Sequence, residues 1–295
     1  MKRWLLVLLW LPLPLVATAD AVRVVDDADR EVVLERPAER IVSLAPNITE
    51  NLFSAGAGKR IVATVEYSDY PEEAKEIPRI GRYDRLDLEG IIAAEPDLVV
   101  GWISGNLREP IERLHELGVP VYLIEPRRPG DVAHTVRQLG RLAGTSAVAE
   151  AVATDFLARF ETLRGLHAER APVGVFYQIW DDPLMTINDA HLISALIRGC
   201  GGRNAFGELE SLAPRIDREA VLARDPEVIV ASSVGGERPE WLDDWRDWPE
   251  LRAVARENLY FVPSDKVQRH TVRTLEGMER LCGQLEEARE RRRAQ

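Results

Sequence analysis

Two stretches, residues 87–100 (DLEGIIAAEPDLVV) and 217–230 (DREAVLARDPEVIV), align without gaps, with Asp, Glu, Ala, Pro and the closing Val identical. Each reads as an N-cap, a short helix, a proline break and a buried strand. A chain that carries this unit twice is expected to fold as two equivalent α/β lobes. A shared way of packing a helix on a strand is the plainer alternative, because helix–Pro–strand units recur among unrelated proteins. In the repeat reading, Glu89 and Glu219 stand at matching places, one acidic knob per lobe.

The surrounding pattern agrees with two lobes. VRVV and EVVL flank DDAD as an opening hairpin. RIVSLAP (40–46), RIVATVE (60–66), DLVVG (97–101) and VPVYLIE (119–125) then read as strands. Helices between them are signalled by Asn47 with Glu50 as a capping box, by Asp87 as an N-cap, and by residues 107–117. This is the alternation of a parallel α/β lobe. Residues 146–164 contain no Gly or Pro, and Val148, Val152, Phe156, Phe160 and Leu163 recur at helical spacing. One helix of ~28 Å is expected there. The strand pattern restarts at VGVFYQI (173–179) and continues through a helix near 191–198, PEVIVAS, NLYFV and a final helix from about Thr271. The expected plan is a leader (1–19), an N-terminal lobe (20–144), a linker helix (145–170) and a C-terminal lobe (171–295). Its fold class is α/β, with two Rossmann-like lobes joined by one long helix.

Lys2 and Arg3, the apolar run 4–16 and the triplet Ala17-Thr18-Ala19 form a secretory signal with cleavage expected after Ala19. Pro12 and Pro14 break the run, which is too short to span a bilayer. The leader holds no cysteine for a lipid, so a freely diffusing protein in a closed periplasm is expected. Net charge is −11, more negative by two once Lys2 and Arg3 leave, which disfavours nucleic acid and anionic membrane as partners. Cys200 and Cys282 are the only cysteines, 82 residues apart. In an oxidising compartment they either pair, a closure that stabilises by on the order of 4 kcal/mol in the chain-entropy picture, or stay as buried thiols.

Catalytic motifs fail one by one. SAGAGKR (54–60) lacks the glycine spacing of a phosphate loop and has Arg60 where Ser or Thr belongs, so it reads as a helix C-terminus. GWISG (101–105) lacks the serine placement of a nucleophile elbow. There is no HExxH, CxxC pair or EF-hand loop. His115, His134 and His167 read as solvated positions on helices, while His191 and His270 are placed to approach one another across a fold. No nucleophile, base and orienter assemble, so neither a catalytic nor a resident metal site is expected.

RIVSLAPNITE, EYSDYP, DLEGIIAAEPDLVVGW, CGGRN and DREAVLARDPEVIV resemble the iron-siderophore and cobalamin periplasmic binding family over roughly residues 39–286. SDYP (68–71) followed by W-x-x-GN (102–106) resembles its cobalamin-binding branch. The resemblance implies a ligand cleft between two lobes, little hinge motion, and a monomer that delivers its cargo to the permease–ATPase complex of an ABC importer. It implies docking through one acidic residue per lobe, onto which Glu89 and Glu219 fall, and paired cysteines, matched by Cys200 and Cys282. Tyr67, Tyr83 and Trp102 fall at or near its pocket positions, with Trp180, Met185, Asp265 and Arg269 as second-lobe candidates. A second-lobe tryptophan of the branch is replaced near Ala213 and Pro214, and an aromatic pair after SD reads Lys266-Val267, so that wall is less aromatic. Trp241, Trp245 and Trp248 read as a helix packed on the lobe.

The resulting expectation is a non-enzymatic carrier with cobalamin, or a related corrinoid, as transported ligand and no cofactor of its own. A ferric siderophore, held by Arg79, Arg82, Arg85, Arg203 and Arg269, is the alternative within the class. Haem, with Tyr67, Tyr83 or His270 as iron ligand, is a variant of it. A secreted metal-dependent enzyme lies outside the class.

Overall fold

The computed structural model describes residues 21–233 and 237–294, so the expected leader lies outside the described residues. Strands β1 (Val22–Val25) and β2 (Glu31–Leu34) form the expected antiparallel hairpin. The chain continues through β3 (Ile41–Ser43), α1 (Pro46–Ser54), β4 (Ile61–Ala63) and a small hairpin of β5 (Gly81–Arg82) and β6 (Arg85–Leu86). Then come α2 (Leu88–Ala93), β7 (Leu98–Trp102), α3 (Arg108–Glu116), β8 (Val121–Ile124) and α4 (Pro129–Leu142). β4, β3, β7 and β8, in that order, make a parallel sheet.

After α5 (Ser146–His167) the plan repeats with β9 (Val173–Gln178), α6 (Leu192–Gly199), β10 (Gly202–Asn204), α7 (Arg218–Arg224), β11 (Val228–Ala231), α8 (Arg252–Ala255), β12 (Leu259–Phe261) and α9 (Thr274–Arg293). The second sheet is also parallel, in the order β10-β9-β11-β12.

The repeated segments occupy the same place in both sheets. Asp87 caps α2 by accepting from the Gly90 amide, and Asp217 caps α7 by accepting from the Ala220 amide. Before the shared proline, Glu95 and Asp225 both turn into the left-handed region, at φ 45° and 42°. Leu98 then pairs with Ile41 as Val228 pairs with Val175. Two segments that share cap, turn, proline and register place Glu89 and Glu219 alike, and both side chains are exposed.

One apolar core runs from the first sheet into the second, through Ala149, Ala153, Phe156 and Phe160 of α5. This corrects the expected stripe, since Val148 is exposed while the alanines beside it are buried. The reason is close packing: a Cβ built on Gly140 of α4 would sit 2.2 Å from the Ala149 Cβ, so these helices approach through small residues rather than large ones. The outer face of each sheet has its own cluster, under α2 and α3 in the first and under α7 and the 3-10 turn Glu240–Asp247 in the second. Trp245 in that turn is fully buried and donates to Gln178 at 2.8 Å, as the packing reading expected. Cys200 and Cys282 are joined in a disulfide, tying the end of α6 to α9.

The Asn47/Glu50 capping box does not form. α1 opens with Pro46 at its first position, an Ala45 cap and no side-chain capping bond. Glu50 is instead 2 % exposed and serves a partner 219 residues away.

Candidate functional site

All eight strands of the two sheets run parallel to their neighbours, so each sheet gathers its C-terminal strand ends along one edge, where open α/β sheets bind ligands. Trp102 ends β7, Tyr67 lies just beyond β4, Trp180 just beyond β9, and Asp265 and Arg269 follow β12. Tyr83 sits in the turn of the β5–β6 hairpin, and its carbonyl is held by the Asn106 amide at 2.7 Å. The same Asn106 accepts from the Trp102 backbone and donates to Leu44 O, so Tyr83 and Trp102 are fixed by one side chain. The Met185 amide donates to the Trp180 carbonyl at 3.1 Å, the Met185 carbonyl accepts from Ile179, and Trp180 is half exposed. Tyr67 is likewise half exposed, with a left-handed backbone at φ 65°. Concavities of about 440 Å³ beside α5 and α9, and 490 Å³ beside β1 and α4, include none of these seven residues.

Arg269 and Asp265 are already engaged. The Arg269 guanidinium reaches Glu50 Oε1 and Asp69 Oδ1, each at 2.7 Å, and donates to Tyr67 O at 3.1 Å. Asp265 holds Arg273 at 2.7 Å, and Arg273 reaches Glu50 at 2.9 Å while stacking 3.7 Å from the centre of the Tyr70 ring. Thr271 donates to the other Glu50 oxygen at 3.1 Å. Burial pushes the Glu50 carboxyl above its ordinary value, against the pull of Arg269, Arg273 and Thr271. This cluster joins α1 to the segment after β12, and its Arg269 arm fixes the backbone that presents Tyr67.

Of the five arginines in the siderophore reading, Arg79 is bonded to the Ala74, Ile77 and Ser68 carbonyls, Arg82 to Asp84, and Arg269 as above. Lys266 pairs with Glu276, and Val267 is buried. His167 is not simply solvated, because its Nδ1 meets Glu286 at 3.1 Å; the His115 ring is partly buried, while His134 is exposed.

His191 and His270 do meet. Their rings lie edge to face at 5.0 Å, and His270 packs against Trp102 in the same manner at 6.1 Å. Burial, opposed by a hydrogen bond with the Pro126 backbone, pushes His270 down to about 4. Burial, the neighbouring His270 and Arg127 push His191 well below its ordinary value. Unfolded, each imidazole takes its proton near pH ~6.5. Between there and about 4 the unfolded chain binds more protons, so stability falls as the pH drops through that window. His270 alone accounts for about 3 kcal/mol of the loss. Urea unfolding at pH 7 and pH 4.5 is expected to show it, with His270→Phe visibly flattening the profile; an unchanged slope in the variant would contradict this reading.

Among proteins of known fold and sequence, the Periplasmic binding protein family matches residues 41–266. The vitamin B12-binding protein of Vibrio campbellii is 33 % identical over 256 residues, covering 87 % of this chain and 92 % of that one. That of Vibrio cholerae (El Tor) is 34 % identical over 250 residues, covering 84 % and 90 %. The crystal structure of the periplasmic vitamin B12 binding protein BtuF of Vibrio cholerae superposes with a TM-score of 0.79 at 33 % identity, covering 86 % of this chain and 98 % of that one. The apo haem-binding protein RhuT of Roseiflexus shares the fold, with a TM-score of 0.76 at 24 % identity, covering 85 % and 99 %. With two parallel sheets, a long intervening helix and a family match over most of its length, this chain belongs to the periplasmic binding protein family.

Proposed function

We propose that the protein captures cobalamin or a related corrinoid in the periplasm and delivers it, as a monomer, to the permease–ATPase complex of an ABC importer. The observation that supports the reading is that Tyr67, Tyr83 and Trp102 lie at or near the C-terminal strand ends of the first sheet, with Trp180 and Met185 just beyond a C-terminal strand end of the second. Rigid aromatics bury large area at low entropic cost, which suits a broad macrocycle with an apolar face. Resemblance at about a third of positions to vitamin B12-binding proteins, over nearly their whole length, supports the same ligand. The two sheet units act as lobes, residues 20–144 and 171–295, with 145–170 as the linker. Asp265 and Arg269 belong to the site as supports of Tyr67 and of the junction between the lobes. Glu89 and Glu219 dock the permease.

Cyanocobalamin is expected to quench tryptophan fluorescence at one-to-one stoichiometry, and Trp102→Ala to weaken binding at least tenfold. One lost aromatic contact of about 1.5–3 kcal/mol gives that range. Saturable binding of a ferric siderophore, with no cobalamin binding at high micromolar concentration, would replace this reading.

A further inference from the structure

Beneath the aromatic edge, buried polar atoms stand without partners in one neighbourhood. Trp102 Nε1, Asn51 Oδ1, His270 Nδ1 and both amide atoms of Asn47 are shut off from solvent and make no hydrogen bond. They are brought together by β7, α1 and the segment after β12. Asn51 donates to the His270 carbonyl at 3.3 Å, Trp102 and His270 pack ring to ring, and Asn47 precedes Asn51 by one helical turn. Asn51 is fully buried, and Asn47 and His270 are each 3 % exposed. Native proteins rarely leave such atoms unpaired, and a cluster of them marks a place where a partner belongs.

The donor and acceptor types define that partner. Trp102 Nε1 is a donor only. The Asn51 Nδ2 amine is engaged, so its free Oδ1 is an acceptor. His270 Nδ1 donates or accepts according to the tautomer of the neutral ring. The cluster thus asks for at least one acceptor and one donor, with His270 Nδ1 able to take either role and Asn47 free to present either end of its amide. A primary carboxamide supplies one carbonyl and one NH₂. A carboxylate supplies no donor and would leave the Asn51 Oδ1 acceptor unmatched.

We propose that Asn47, Asn51, Trp102 and His270 form a subsite that binds a primary carboxamide at the rim of the ligand and discriminates against carboxylates and esters. The inference rests on the corrinoid reading and sharpens it, because amide-fringed macrocycles satisfy the cluster and carboxylate-fringed ones do not. Trp102, the half-buried member of the four, is the side chain that turns aside to admit the amide.

The test compares dicyanocobinamide, whose rim carries primary amides, with dicyanocobyrinic acid heptamethyl ester, whose rim carries none. Wild-type protein is expected to bind the amide form at least tenfold tighter. Asn51→Leu, which keeps the volume and removes the acceptor, and Asn47→Leu, which removes both unpartnered amide atoms, should each weaken the amide form about three- to tenfold and leave the ester nearly unchanged. Circular dichroism checks that both variants fold, and either one alone suffices. An amide-to-ester ratio near one in wild type, or a ratio unchanged in a folded variant, overturns the subsite while leaving corrinoid capture intact. Failure of wild type to bind either compound or cyanocobalamin overturns the corrinoid reading and the subsite with it.

Discussion

Replacing Glu50 with alanine is expected to lower the unfolding free energy by about 3–5 kcal/mol, the largest stability loss of any single ion-pair deletion among the described residues. The side chain is 2 % exposed, and its oxygens meet Arg269, Arg273 and Thr271. Truncation leaves two guanidiniums, with side chains 17 % and 9 % exposed, without the anion between them. Asp69 and Asp265 keep one contact each, so the loss is bounded rather than total. An exposed pair such as Arg108–Glu112 has water as a ready substitute, and its removal is expected to cost only ~0.5 kcal/mol or less. Glu50→Gln preserves shape and one acceptor and should fall between these limits. Urea unfolding of Glu50→Ala and Glu112→Ala at neutral pH makes the comparison; similar small losses in both would remove Glu50 from its place as the buried link between the lobes. Because Arg269 also holds the Tyr67 carbonyl, weaker cobalamin binding should accompany the Glu50→Ala loss.

That link was hidden in the sequence for a physical reason. Asn47 and Glu50, three residues apart at a helix start, carry the local signature of a capping box, and local signatures are what periodicity reads. The contact that takes Glu50 lies 219 residues downstream and leaves no local trace. The same limit explains α5: large apolar residues at helical spacing pointed to Val148, whereas the helix packs on Ala149 and Ala153, whose burial follows from how closely α4 approaches. What repeats along the chain was legible. The aligned segments predicted two matching helix–strand units, and the sheets place them with the same caps and register. The aromatic edge was legible as well, since strand ends are readable and parallel sheets gather them. Its polar floor was not, because Asn47, Asn51 and His270 gain meaning only when three distant segments meet.

Charge reversal at both acidic knobs, Glu89→Arg with Glu219→Arg, is expected to abolish transport while leaving cobalamin affinity within about twofold of wild type. The carboxylates are exposed on short helices at equivalent positions of equivalent sheets, and among the described residues neither has an ion-pair partner within the chain. They stand in the exposed first turns of α2 and α7. A carboxylate that meets a guanidinium of the permease in a bidentate contact loses that contact on reversal and meets repulsion instead. Two such sites act together, since the first contact raises the effective concentration for the second; single reversals should therefore reduce uptake and the double should end it. The competing account is local. Acidic residues in a first turn favour the helix dipole by only ~0.3–1 kcal/mol each, which predicts a slightly lower melting temperature and normal uptake. Measuring cyanocobalamin uptake by cells whose sole binding protein is the double variant, alongside its affinity in solution, separates the two accounts. Wild-type uptake by the double variant would assign both glutamates to helix stability alone.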